Sequence, residues 1–310
     1  MAAMIVVFGS VNVDLVCKVA AIAKPGETVL APGYQQLSGG KGANQAVAAA
    51  RAGGRVRFVG AVGRDAFGDG EAGTLEREGI DVSALARLDE PTGCAFISVA
   101  SDGENAITVA SGANRAVSAG QLAGTWDAGS TVLVLQMELP FDETVAAARE
   151  GRGAGAHVLL NLAPVPQGVD AGRLKDLLRS TDLLIVNEHE LDEAATILGL
   201  QPGEPEETAR AVADATELSV LATLGGAGAL LVSREGEATR FQAPRIEPVD
   251  TTGAGDTLCG VLATGLEAGL AMPEAIRRAV AAASLACLSF GARSAMPSAR
   301  RIDQFLAEAR

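Results

Sequence analysis

Asp256 stands in the run Asp250-Thr251-Thr252-Gly253-Ala254-Gly255-Asp256-Thr257, which leads into an apolar stretch of helical composition over 258–263. Small residues at a helix start leave backbone N–H groups open to an anion, and the helix dipole favours negative charge there. A carboxylate beside such a site would repel a bound phosphate. It makes chemical sense if it takes a proton from a hydroxyl while the Gly253, Ala254 and Gly255 amides hold a phosphoryl group. Capping of the helix by Asp256 is the plainer alternative.

Other groups could serve the same reaction. Ser38-Gly39-Gly40-Lys41-Gly42-Ala43-Asn44-Gln45 runs into an alanine-rich helix expected over 44–52. Its glycines allow close backbone approach, and Lys41 and Asn44 supply a cation and an amide for hydroxyls or phosphate oxygens. Gly42 follows Gly40-Lys41 where a P-loop needs Ser or Thr. In Gly9-Ser10-Val11-Asn12-Val13-Asp14, Asn12 and Asp14 share a face if the chain is extended, and an amide beside a carboxylate suits vicinal hydroxyls. Turn capping by Asp14 is equally consistent. Asn187 and Glu190 could position magnesium through water, or Glu190 could simply favour the helix dipole in a first turn. Thr223-Leu224-Gly225-Gly226-Ala227-Gly228 could let a nucleotide lie against the backbone, form a hairpin turn, or do both.

Positioning these groups requires a frame. Apolar runs of strand length at 4–8, 56–62, 131–136, 158–161, 183–186 and 220–223 alternate with helical stretches at 141–151, 170–178, 188–198 and 206–216. This is the pattern of an α/β fold with a mostly parallel central sheet and helices on both faces. The motifs fall after strands, where such sheets bind ligands, and the approach to Asp250 also reads as strand-like. Segments 11–37 and 92–109 break the rhythm. Val13, Leu15, Cys17 and Val19 keep a period of two, as do Ala95, Ile97 and Val99, which predicts antiparallel strands with one covered face. They are expected to form a small β-sheet lid on a single domain spanning 1–310, with an apolar face suited to a homodimer contact. Extra edge strands of the main sheet are the alternative.

Bulk composition narrows the partners. A net charge of −13 without a basic patch argues against nucleic acid and for a small-molecule partner, any anion being held locally. Four separated cysteines and two isolated histidines, one of them (His157) opening a strand, give little basis for disulfides, zinc or a Ser-His-Asp triad. The start Met1-Ala2-Ala3-Met4 lacks a signal-peptide pattern, and the alanine-rich 275–288 is too short for a membrane span, so a cytoplasmic protein is expected.

Together the residues resemble the ribokinase-like (PfkB) family of sugar kinases. The resemblance rests on 9–14, Pro25-Gly26-Glu27-Thr28, 39–45, Val62-Gly63-Arg64-Asp65-Ala66-Phe67-Gly68, Gln136-Met137-Glu138, Asn161-Leu162-Ala163-Pro164, 187–190 and 250–257. It implies ATP-dependent transfer of the γ-phosphoryl group to O5 of D-ribose, with Asp256 as base and an anion hole of Gly253, Ala254 and Gly255. It also implies sugar contacts from Asn12, Asp14, Gly40, Lys41, Asn44 and Glu138. Nucleotide contacts would come from Asn187, Thr223, Gly225 and Gly228. Magnesium is expected near Glu190, and an activating potassium ion at Asp250, Thr252, Ala286, Ser289 and Gly291. Ala295 stands where members often have a serine near the cation, and Val280 where a polar or aromatic residue often flanks adenine. Competing readings are a kinase for 2-deoxyribose, fructose or a nucleoside, a non-catalytic sugar or nucleotide sensor, and a dinucleotide-dependent oxidoreductase. The last lacks G-x-G-x-x-G after the first strand.

Overall fold

The computed structural model describes residues 4–126 and 131–308; Met1 to Ala3, ahead of the first strand, lie outside the described residues. The N-terminal half contains β1 (Met4–Phe8), β2 (Asn12–Lys18), β3 (Tyr34–Gly39), α1 (Lys41–Arg51), β4 (Val56–Gly63), α2 (Ala66–Arg77), β5 (Asp81–Leu88), β6 (Gly93–Val99), β7 (Asn105–Ala110) and β8 (Thr131–Leu135). Then come α3 (Phe141–Gly153), β9 (His157–Asn161), α4 (Ala171–Leu178), β10 (Leu183–Asn187), α5 (Glu188–Ile197), α6 (Pro205–Thr216), β11 (Ser219–Thr223), β12 (Ala229–Val232) and β13 (Ala238–Phe241). The chain closes with α7 (Ala254–Glu267), α8 (Met272–Ala286), the short α9 (Ala292–Ala295) and α10 (Ala299–Glu308).

Nine strands form one sheet in the order β13-β12-β11-β10-β9-β8-β1-β4-β5. All neighbours from β11 to β5 are parallel, while β12 and β13 add as antiparallel strands. Burial on both faces explains why these strands read as continuous apolar runs. Alternation splits β1 between two cores. Met4, Val6 and Phe8 belong to the core that also takes in Leu174, Leu191 and Val212 of α4, α5 and α6. Ile5 and Val7 belong to the core on the other face, with Val47, Val261 and Ile276 of α1, α7 and α8. Strand order reverses at β1, whose neighbours are β4 and β8, so a crevice opens at its carboxyl end.

The second sheet runs β3-β2-β6-β7. It is separate from the main sheet, as expected, but it is not wholly antiparallel: β2 and β6 pair in parallel between two antiparallel outer pairs. Period-two alternation is the same for either direction, which is why the sequence could not separate them. Two further differences bear on the site. Helix α1 begins at Lys41, three residues before the expected start, and the approach to Asp250 is irregular over 242–249. Pro244 and Pro248, which lack N–H donors, lie in that stretch.

Candidate active site

The close crossing of α1 and α7 builds the centre of the site. A Cβ on Gly260 would lie 2.4 Å from the Gln45 carbonyl oxygen, so only glycine permits the approach. Asp256 sits one turn earlier on the same face of α7, which brings it against Asn44 and Gln45. Asn44 Nδ2 donates to Asp256 Oδ2 at 2.9 Å, and Gln45 Nε2 donates to Asp256 Oδ1 at 3.0 Å. The cap of α7 is Gly253, in the left-handed region at φ 75°, so Asp256 is not the helix cap. Asp256 is buried, and that burial pushes its carboxyl above the usual range against the opposing pull of Lys41, Asn44 and Gln45. The ordinary value of about 4 for an aspartate therefore does not describe it.

Further amides fix the orientation of Gln45. Its Nε2 is shared with Asn161 Oδ1 at 3.1 Å, and its Oε1 accepts from Gln136 Nε2 at 2.8 Å. Asn161 is the last residue of β9 and Gln136 directly follows β8, so strand ends aim the group that faces Asp256.

Around Lys41 the charges alternate. Burial alone would lower its ammonium, but Asp256, Glu138 and Glu190 outweigh this and raise it. Glu138 Oε2 accepts from the Lys41 backbone N–H at 2.9 Å and from the Ser10 hydroxyl at 2.5 Å. Gly40, at φ 89°, caps α1 without a side-chain bond and turns the chain from β3 into the helix. Asn12 and Asp14 lie two apart in β2 and so share a face. Asn12 Oδ1 accepts from Asn114 Nδ2 at 2.8 Å. Burial raises Asp14 to about 6; Arg293 opposes this, and Glu138 and Glu71 add to it.

Two adjoining cavities, of about 510 Å³ and about 210 Å³, share Thr223 and Gly255 in their walls. The larger is lined by Gly225, Gly228, Pro244, Ile246 and Val280, an apolar slot. The smaller is polar and contains Lys41, Asn187, Glu190, Gly253 and Asp256. Asn187 thus faces the polar cavity rather than the slot assigned by Gly225 and Gly228. Both readings of the glycine turn hold, since it also joins β11 to antiparallel β12. Asn187 and Glu190 form a reciprocal capping box on α5 at 2.8 and 2.9 Å, so Glu190 has a structural role as well as its place in the cavity. Burial is the largest influence on Glu190 and raises its carboxyl.

Asp250 organises the neighbouring loop. Its Oδ1 accepts from the Thr252 N–H at 2.9 Å and hydroxyl at 2.6 Å, and its Oδ2 accepts from the Gly291 N–H at 2.9 Å. Burial would raise Asp250, but these bonds outweigh it and hold the carboxyl below the usual range. Ala286, at the end of α8, accepts from the Ser289 N–H at 3.4 Å.

Residues without local sequence signals complete the site. Arg293 in α9, Glu71 in α2 and Asn114 are buried polar groups in contact with Asn44, Ser38 and Asn12 respectively. Only their burial gives them away, and burial of a charge cannot be read from sequence.

Comparison with known proteins agrees with this geometry. The family model for pfkB family carbohydrate kinases matches residues 2–299. A ribokinase of Haemophilus influenzae is 36% identical over 309 residues, covering 98% of each chain. The structure of ribokinase from Thermotoga maritima aligns with a TM-score of 0.90 at 33% identity, over 98% of this chain and 99% of that one. Ribokinase of Arabidopsis thaliana complexed with ribose and ATP aligns with a TM-score of 0.87 at 34% identity, over 99% of both chains.

Proposed function

The chain belongs to the pfkB family of carbohydrate kinases, and from that premise we propose that it transfers the γ-phosphoryl group of ATP to O5 of D-ribose, giving ribose 5-phosphate and ADP. The observation that carries the reading is Asp256, buried in the first turn of α7 and lining the polar cavity next to the apolar slot. The relative solved with ribose and ATP supports this choice of substrates.

In this reading adenine occupies the slot near Val280 and the phosphates approach Gly255. The sugar lies between Asp256 and the Asn12–Asp14 face, held by Gly40, Lys41, Asn44 and Glu138. The O5 hydrogen passes to Asp256 as the O5–phosphorus bond forms and the bond to the β-phosphate oxygen breaks. The transition state is loose, so alignment and charge stabilisation by the Gly253 to Gly255 amides and Lys41 supply most of the effect. The raised carboxyl of Asp256 makes it a better proton acceptor than an ordinary aspartate.

The donor chemistry fits the expected cations. Glu190, with Asn187, offers hard oxygen ligands at the rim of the phosphate cavity, suited to a magnesium ion that keeps most of its waters. Such an ion would neutralise phosphate charge. Asp250 is tied to Thr252 and Gly291, and Ser289 to Ala286, and the oxygens of these residues would suit potassium next to the anion hole. A potassium ion there would add positive charge near the developing anion.

The four-stranded sheet acts as a lid in this reading, with lid segments over about 11–37 and 92–109 of one domain. By strand register, the face that carries Asn12 and Asp14 continues outward through Leu37, Ile107 and Val109, all about half exposed. A second copy would cover it, giving a homodimer in the cytoplasm. A monomeric mass by light scattering across a wide concentration range would count against the dimer.

The test is phosphorylation of D-ribose, 2-deoxyribose, fructose and adenosine with ATP and magnesium, with and without potassium, detecting the sugar phosphate itself. Preference for ribose that rises with potassium is expected. Preference for another compound would move the substrate, and no product from any of them would overturn the reading.

Asp14 gives this reading a pH signature. As pH falls through about 6 the unliganded carboxyl takes up a proton and loses acceptor capacity. Sugar hydroxyls favour the charged form, so affinity is full above that value and falls below it, by up to about tenfold per pH unit. Calorimetric titration with ribose from pH 5 to 8 should show this slope, and Asp14→Asn should bind more weakly and without it. A flat profile for the unaltered protein would remove Asp14 from the sugar site.

A further inference from the structure

The Arg293 guanidinium binds groups from three other parts of the chain. Its Nε donates to Asn44 Oδ1 at 2.8 Å, and one terminal nitrogen donates to Glu71 Oε2 at 2.7 Å. The other terminal nitrogen donates to the Gly39 carbonyl, where β3 hands over to α1. Side-chain exposure is 7% for Arg293 and 5% for Glu71, so this is a buried ion pair. Glu71 Oε1 accepts from the Ser38 hydroxyl at 2.7 Å. The backbone of α9 is itself tied down: Arg51 of α1 donates to the Arg293 carbonyl at 2.5 Å and to the Met296 carbonyl at 3.2 Å, while pairing with Glu78.

Asn44 stands between Arg293 and Asp256, and the chemistry of those two groups fixes how it must point. A guanidinium has only donors and a carboxylate only acceptors. The carboxamide satisfies both in one orientation alone, oxygen toward Arg293 and NH₂ toward Asp256. Without Arg293 the amide could turn over and set its oxygen against the carboxylate. The arginine thus acts on Asp256 without touching it. Its bond to Gly39 joins the same lock to the root of the four-stranded sheet, and Gly291, two residues away in sequence, is bound to Asp250.

We propose that Arg293 is a positioning residue for phosphoryl transfer, holding the Asn44 amide in the orientation that serves Asp256 and coupling it to the Gly39 root of the small sheet. The inference rests on the kinase reading above. Lys41 from α1, Glu138 from the β8 loop and Glu190 from α5 set the charged background, and burial keeps the Cys259 thiol on α7 neutral. None of them fixes the Asn44 amide.

Three variants separate positioning from a purely structural role. Arg293→Lys keeps the charge opposite Glu71 but loses the planar fork. The double variant Glu71→Gln with Arg293→Met removes the donor to Asn44 without stranding a buried charge. Glu71→Gln with Arg293→Gln returns an amide donor. In Arg293→Lys and the Met double variant, kcat for ribose is expected to fall about tenfold or more with little change in KM for ATP. The acidic limb of the kcat profile should move to higher pH by roughly half a unit or more, and the Gln double variant should recover part of both. The ¹³C titration of the Asp256 carboxyl in the free protein should move the same way, and this needs no substrate. If Arg293→Lys is folded and keeps both its kcat and the Asp256 titration within twofold and a tenth of a unit of the unaltered protein, as roughly the precision of such measurements, the proposal is overturned. If the unaltered protein phosphorylates no sugar, the kinase reading fails while the carboxyl titration still decides the role of Arg293.

Discussion

Asp256→Asn is expected to remain folded and to bind sugar while losing turnover by roughly 10²–10⁴-fold, the usual range for removing a general base. Two opposing effects keep the fold. Replacement removes a buried charge whose desolvation already pushes the carboxyl upward. It also sets one NH₂ group against a donor, because Asn44 Nδ2 and Gln45 Nε2 both point at residue 256. Gln45 cannot easily turn, since its oxygen is held by Gln136 and its nitrogen by Asn161. That clash costs about 1–3 kcal/mol, the range for an unsatisfied buried group. The relief of charge burial offsets it, so the change in melting temperature should be small. Turnover has no such compensation, because an amide cannot take the O5 proton. Single-turnover rates together with ribose calorimetry and a thermal melt check the three parts. Turnover within tenfold of the unaltered protein would remove Asp256 as the base.

Much of this frame was legible because it rests on short-range regularities. Strands such as β10 are buried on both faces and carry unbroken apolar runs, here residues 183–186. The start of α7 announced itself through three small residues before Asp256. Other features depend on pairs far apart in sequence. Arg293 and Glu71 are 222 positions apart, and nothing beside either one signals an ion pair. Asn44 and Asp256 were each picked out, yet their contact and the direction of the amide follow from the Gly260 crossing and from Arg293. The first turn of α1 was hidden because Gly42 has poor helix propensity, while its place under Gly9 and Ser10 leaves no room for a side chain. Helix α2, which carries Glu71, was hidden for a related reason: three glycines dilute its periodicity.

Gly255→Ala should stabilise the protein slightly and still cost about 10²–10³-fold in kcat, comparable to loss of an anion-hole donor. The two effects come from one methyl group. Gly255 is the second residue of α7, its φ lies outside the left-handed region, and an added Cβ would meet nothing within 4 Å. Alanine in a compatible helical position lowers the entropy of the unfolded chain, worth roughly 0.4–1 kcal/mol. The open space is functional, however, because Gly255 lines both cavities at their junction. A methyl there would occupy the path between nucleotide phosphate and sugar hydroxyl and hold the reacting atoms apart, an effect felt in kcat more than in ribose affinity. Gly253→Ala provides the contrast. Gly253 is at φ 75°, and its added Cβ would lie 2.9 Å from Ala292, so that variant should lose stability as well as activity. Melting temperature and kcat measured on the pair should therefore diverge for Gly255→Ala and fall together for Gly253→Ala. Full turnover in Gly255→Ala would place phosphoryl transfer elsewhere than the junction of the two cavities.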